Sequence, residues 1–152
     1  MTERQARRGT GDDPAAQPAA PAEKVYVAYL AAQAVLGLLW WLALSTSSTV
    51  RGWFELFPGE RQVMDAFVFA DVLVVVVGSG FSAWGLAAGK RWTTAVLWFT
   101  AGGIVYPTLY LFGWLSFTSE GGLLLGAMVA VSTFTCWIAY HVWRARRAAP
   151  RS

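Results

Sequence analysis

An apolar run from Val63 to Ala88, VMDAFVFADVLVVVVGSGFSAWGLAA, constrains this chain more than any other stretch. A hydrocarbon layer ~30 Å thick is crossed by roughly 20 helical residues at ~1.5 Å rise each, and the run is long enough. No water inside a bilayer satisfies backbone N–H and C=O groups, so such a segment crosses as a helix with its hydrogen bonds internal. Yet the run holds Asp71, ~13 Å in from its first end at the helical rise. An acid at that depth costs roughly 2.5–3.5 kcal/mol on insertion scales and is expected to face protein or water. Steps of three and four from Asp71 meet Val75, Gly78, Ser82, Gly85 and Gly89, mostly small residues that let another backbone close in. A helix of this kind belongs at the centre of a bundle.

Three more runs share this character, so the fold class expected is all-α: an integral membrane four-helix bundle with spans at about 25–44, 63–88, 92–117 and 121–143. Composition agrees. Charged residues make up 14% of the 152, where soluble domains carry about 25%. The first run, Val25 to Leu44, competes with a signal peptide, but its apolar core of ~20 residues exceeds the ~7–15 of a signal h-region. Residues 1–23 lack any apolar period and are expected to be a disordered tail, residues 24–144 the transmembrane domain, and residues 145–152 a basic tail. Between the first two spans, Val50 to Pro58 mixes aromatic and charged residues, as a segment in the headgroup zone would. Its Trp53-to-Phe57 part is also a candidate lid. Gly89-Lys90-Arg91 and Thr118 to Glu120 leave room only for tight turns, and Pro107 predicts a kink because it clashes with the carbonyl of Gly103.

Basic residues near the span ends set the expected orientation. Lys24, Lys90, Arg91, Arg144, Arg146 and Arg147 fall on one side; Arg51 and Arg61 fall on the other, beside Glu55, Glu60 and Glu120. Both termini are therefore expected in the cytoplasm, with the chain in the cytoplasmic membrane. The separation of basic tails from aromatic-rich spans argues against nucleic acid as a partner. Membrane lipid, a hydrophobic small molecule, a second copy or a membrane partner subunit are the partners expected instead.

Most catalytic and cofactor chemistries find no motif. Cys136 is the sole cysteine and His141 the sole histidine, so a CxxC redox pair, an intrachain disulfide and a bis-histidine haem are not available to one chain. No Cys/His spacing suits zinc, Gly78-Ser79-Gly80 lacks the full nucleophile-elbow pattern, and no phosphate-cradling loop occurs. No cofactor or metal is expected. Four spans in so short a chain is similar to small multidrug transporters, but those use a first-span glutamate where this chain has Gln33. No family is identified from these residues.

What remains is a layer of polar side chains. From the outer ends, Asp71 lies ~13 Å deep, Tyr106 ~15 Å, Thr133 ~18 Å and Gln33 ~19 Å. Each falls on a candidate inward stripe: Phe99, Gly103, Tyr106, Tyr110 and Gly113 on the third span, and Gly122, Gly126, Val129, Thr133, Cys136 and Tyr140 on the fourth. One reading makes Asp71 a neutral structural pin bonded to Tyr106, Gln33 or the carbonyl of Gly103. Another makes it the anchor of a pocket for a hydrophobic ligand, lined by Gln33, Tyr106, Tyr110, Thr133, Trp98 and Trp137. The function expected is that of a non-enzymatic membrane subunit or hydrophobic-ligand binder. The alternatives are an isomerase or terpenoid cyclase, with Asp71 as catalytic general acid and Tyr106, Tyr110, Trp98 and Trp137 as cation-stabilising rings, and a proton-coupled exporter.

Overall fold

Apolar character runs all the way round the helices of this chain, so helix formation leaves no polar face to turn outward. The computed structural model describes residues 21–54, 67–118 and 122–148, and their regular structure is entirely helical. Helix α1 spans Pro21–Thr46, the short α2 Ser48–Phe54, α3 Phe67–Ala87, α4 Thr93–Thr118 and α5 Gly122–Ala148. Four of these, α1, α3, α4 and α5, are long and apolar enough to cross a membrane. Their outward faces carry Leu36, Phe69, Phe99, Leu109 and Phe117, each more than half exposed. A surface so apolar is what lipid, rather than water, tolerates.

The helices meet in antiparallel neighbour pairs. On α1 and α3, Gln33 lies opposite Ser79, Gly37 opposite Val75 and Val76, and Trp41 opposite Asp71. Between α3 and α4, glycines act as notches. A Cβ on Gly78 would run into the Thr100 hydroxyl, one on Gly85 into the Thr93 hydroxyl and the Trp92 ring, and one on Gly103 into Val74. Backbone-to-side-chain approach of this kind brings helices close where lipid offers no hydrophobic drive to associate. Pro107 is accommodated within α4, which runs on to Thr118. The turn from α3 to α4 closes with Lys90 N–H donating to the Gly85 carbonyl and Gly89 N–H to that of Leu86. This geometry requires the left-handed backbone that Gly89 adopts at φ 62°.

The best-packed part of the bundle lies toward the terminal end. Leu30, Leu86, Leu97, Ala101, Ile138 and Ala139 form its buried centre, with Tyr26, Tyr29 and Cys136 around them. At that end Arg146 donates to the carbonyls of Lys90 and Arg91 at 2.7 and 2.9 Å, strapping α5 to the α3–α4 turn. Arg147 lies 4.2 Å above the Trp143 ring. The other end is looser, and there the bundle opens into a cleft.

Candidate functional site

All four long helices contribute to that cleft, which has a volume of about 130 Å³. Helix α1 gives Trp40, Trp41 and Leu44; α3 gives Phe67 and Asp71; α4 gives Pro107, Tyr110 and Leu111; α5 gives Leu124 and Met128. The Phe67 and Tyr110 rings approach each other across it, centroids 6.2 Å apart at 47°. Asp71 is the sole ionisable acid in a lining that includes no Lys, Arg or His among the described residues. Trp41 stands beside it in the lining, and its indole nitrogen, a donor only, acts on the carboxyl group.

A local irregularity puts Asp71 there. Immediately after it, Val72–Val77 form a wide π-helical turn before α-geometry resumes at Gly78. In a regular helix the residue seven before Ser79, Val72, would lie below it on the face toward α1. The wide turn absorbs one residue, so Asp71 takes that place. Gly78 and Gly85 face α4; Asp71 faces Trp41 of α1 and the cleft. The expected single stripe from Asp71 through Gly78 to Gly85 is therefore broken at the wide turn. Such turns are rare and frequent at functional sites.

The other residues singled out from the sequence disperse. Gln33 is buried, but its amide donates to Ser79 Oγ at 2.9 Å and accepts from Thr135 Oγ1 at 3.1 Å. Thr135 also reaches the Val131 carbonyl at 2.8 Å, and Tyr29 Oη lies 3.4 Å from Thr135 Oγ1. This polar knot on α1, α3 and α5 stands eight residues, ~12 Å, along α1 from Trp41, so Gln33 and Asp71 occupy separate layers. Tyr106 is 70% exposed on the outside of α4, and Thr133 is exposed too. Neither lines the cleft. Trp98 and Trp137 also sit on the outer surface; Trp137 packs against Tyr26, Phe134 and His141 instead. Of the expected ligand-binding set, Tyr110 alone joins Asp71 at the cleft.

The expected inward stripes of the third and fourth spans need correcting for the same reason. Phe99 and Tyr106 point out, while Thr93, Leu97, Thr100, Ile104, Thr108 and Leu111 point in. On α5, Val129, Thr133 and Tyr140 are exposed, and Leu125, Ser132, Thr135 and Ile138 are buried. The Thr108 and Ser132 hydroxyls, 2.7 Å apart, tie α4 to α5 between the two layers. Trp41, Phe67 and Met128 are cleft residues that the sequence reading missed. A signal existed for Trp41: it falls one turn before Leu44 on the side of α1 that carries Gln33 and Gly37. The candidate lid, Trp53 to Phe57, and the charged residues Glu55, Glu60, Arg61 and Glu120 lie wholly or largely outside the described residues.

Among the described residues no three His, Cys, Asp or Glu side chains gather as metal ligands. Comparison with protein-family models, with curated proteins and with solved structures finds no match to this chain.

Proposed function

We propose that this chain is a multi-pass protein of the cytoplasmic membrane, termini inside, that binds a hydrophobic small molecule with Asp71 as its polar anchor. The observation that supports this reading is the cleft: apolar and aromatic walls drawn from every long helix, converging on one carboxyl group. Pockets for small ligands have this make-up, mostly apolar with few polar groups fixing orientation. The Gln33 knot, by contrast, has its hydrogen bonds satisfied within the protein and serves to hold helices together.

The test is extraction in a mild non-ionic detergent followed by mass spectrometry of whatever small molecule accompanies the protein. A hydrophobic compound near one per chain is expected with wild type and is lost with Asp71→Asn, whose helical content stays at the wild-type level by circular dichroism. If compound and protein part company in wild type, or stay together in the variant, the reading fails. The Trp40, Trp41 and Tyr110 rings beside an acid favour one second reading, a membrane-embedded isomerase or cyclase protonating an alkene or epoxide. Its mark would be turnover of that compound, abolished by Asp71→Asn without loss of binding.

A further inference from the structure

We infer that the cleft takes the cationic head of a lipophilic ammonium compound, an inference that rests on the proposed binding role of the cleft. Four aromatic rings (Trp40, Trp41, Phe67 and Tyr110) line the same small space as the Asp71 carboxyl. Aromatic faces attract ammonium groups through their quadrupoles, most strongly when water is excluded, and quaternary ammonium recognition uses rings in this way. The described lining supplies no cationic side chain of its own. A carboxylate drawn out of water is stabilised when a counter-charge sits beside it, and a ligand cation provides one. Trp41, its neighbour in the lining, has a single N–H to give, whereas a carboxylate offers about four acceptor sites.

Size points the same way. About 130 Å³ is well above the ~10–15 Å³ that one water needs, yet too small to enclose a long amphiphile. The head fits inside; the apolar body lies along Leu44, Leu111 and Met128, the last a flexible side chain suited to varied shapes. A phosphocholine lipid head would bring its phosphate beside Asp71, so the ligand class inferred is a monocation without a phosphate.

The experiment compares decanoylcholine with its neutral isostere, the decanoyl ester of 3,3-dimethylbutanol, and with decylphosphocholine. Each is supplied at the same mole fraction in maltoside micelles, with bound probe counted by native mass spectrometry. Wild type is expected to prefer decanoylcholine over the isostere by tenfold or more, and over decylphosphocholine by a similar factor. Asp71→Asn is expected to abolish the first preference; should it not fold, Tyr110→Leu at the rim is expected to reduce it at least threefold. Equal binding of all three probes overturns the cationic inference while leaving a hydrophobic-ligand site. Equal binding of the two ammonium probes alone assigns the site to membrane lipid and overturns the ligand class. Binding of none overturns both this inference and the proposed function.

Discussion

Gln33 shows how a polar residue is carried inside an apolar bundle. Its carboxamide uses both ends, donating to Ser79 on α3 and accepting from Thr135 on α5. An unpartnered amide in hydrocarbon costs several kcal/mol, so the knot is the condition on which Gln33 is tolerated. Removing it should nonetheless have a limited effect. Thr135 already has a second acceptor in the Val131 carbonyl at 2.8 Å, and a serine hydroxyl in a helix can turn back to its own preceding turn. Gln33→Leu is therefore expected to destabilise by about 1 kcal/mol, in line with interhelical hydrogen bonds in membrane proteins. Reversible unfolding in a denaturing detergent gives the measurement. A loss above about 3 kcal/mol would mean that the hydroxyls cannot find these alternatives. That Gln33 is buried was legible in the sequence, because an amide in the middle of an apolar run needs a partner. Its partners were not legible, because hydroxyl residues recur on all four spans and a hydroxyl is also content with its own helix backbone.

At the scale of the element, the wide turn at Val72–Val77 sets the phase of α3. One residue changes the facing of a helix by ~100°, enough to move Asp71 between the cleft and a neighbouring face. The four consecutive valines 74–77 make a convenient test, since deleting any one gives the same protein. With one valine removed, the wide turn can relax to α-geometry while Phe67 and Asp71 keep their places, so ligand binding is expected within about threefold of wild type. With one valine added, the extra ~100° carries Asp71 off the cleft, and binding is expected to fall at least tenfold. Loss of binding on deletion would instead show that the wide turn itself belongs to the site. Four spans, the α3–α4 turn and the small-residue contact of α3 could all be read from hydropathy and glycine spacing. The wide turn could not, because its valine-rich run is equally compatible with regular helix. The facing of α4 and α5 was missed for another reason. Tyr106, Phe99 and Tyr140 cost nothing against lipid tails, so aromatic residues do not mark the interior, whereas Thr100, Thr108, Ser132 and Thr135 do.

For the molecule as a whole, the two ends differ in charge and in packing. The α3–α4 turn and the arginine-bearing end of α5 are tied together by Arg146, and Glu23 at the start of α1 lies within electrostatic range of the same guanidinium. Lys24, Lys90, Arg91, Arg144, Arg146 and Arg147 therefore gather at one end of the bundle, where the buried apolar centre also sits. The opposite end carries α2, Arg51 and the open cleft. A bundle with this asymmetry is expected to insert with its basic, well-packed end in the cytoplasm and its cleft toward the outer leaflet. Two positions test this with little disturbance: Lys90 is exposed, and a side chain at Gly52 meets nothing within 4 Å. In a Cys136→Ser background, a membrane-impermeant maleimide is expected to label Gly52→Cys in intact cells. Lys90→Cys is expected to react only after the membrane is opened. The reverse pattern would invert the orientation and place the cleft on the cytoplasmic side, so that its ligand would come from within the cell.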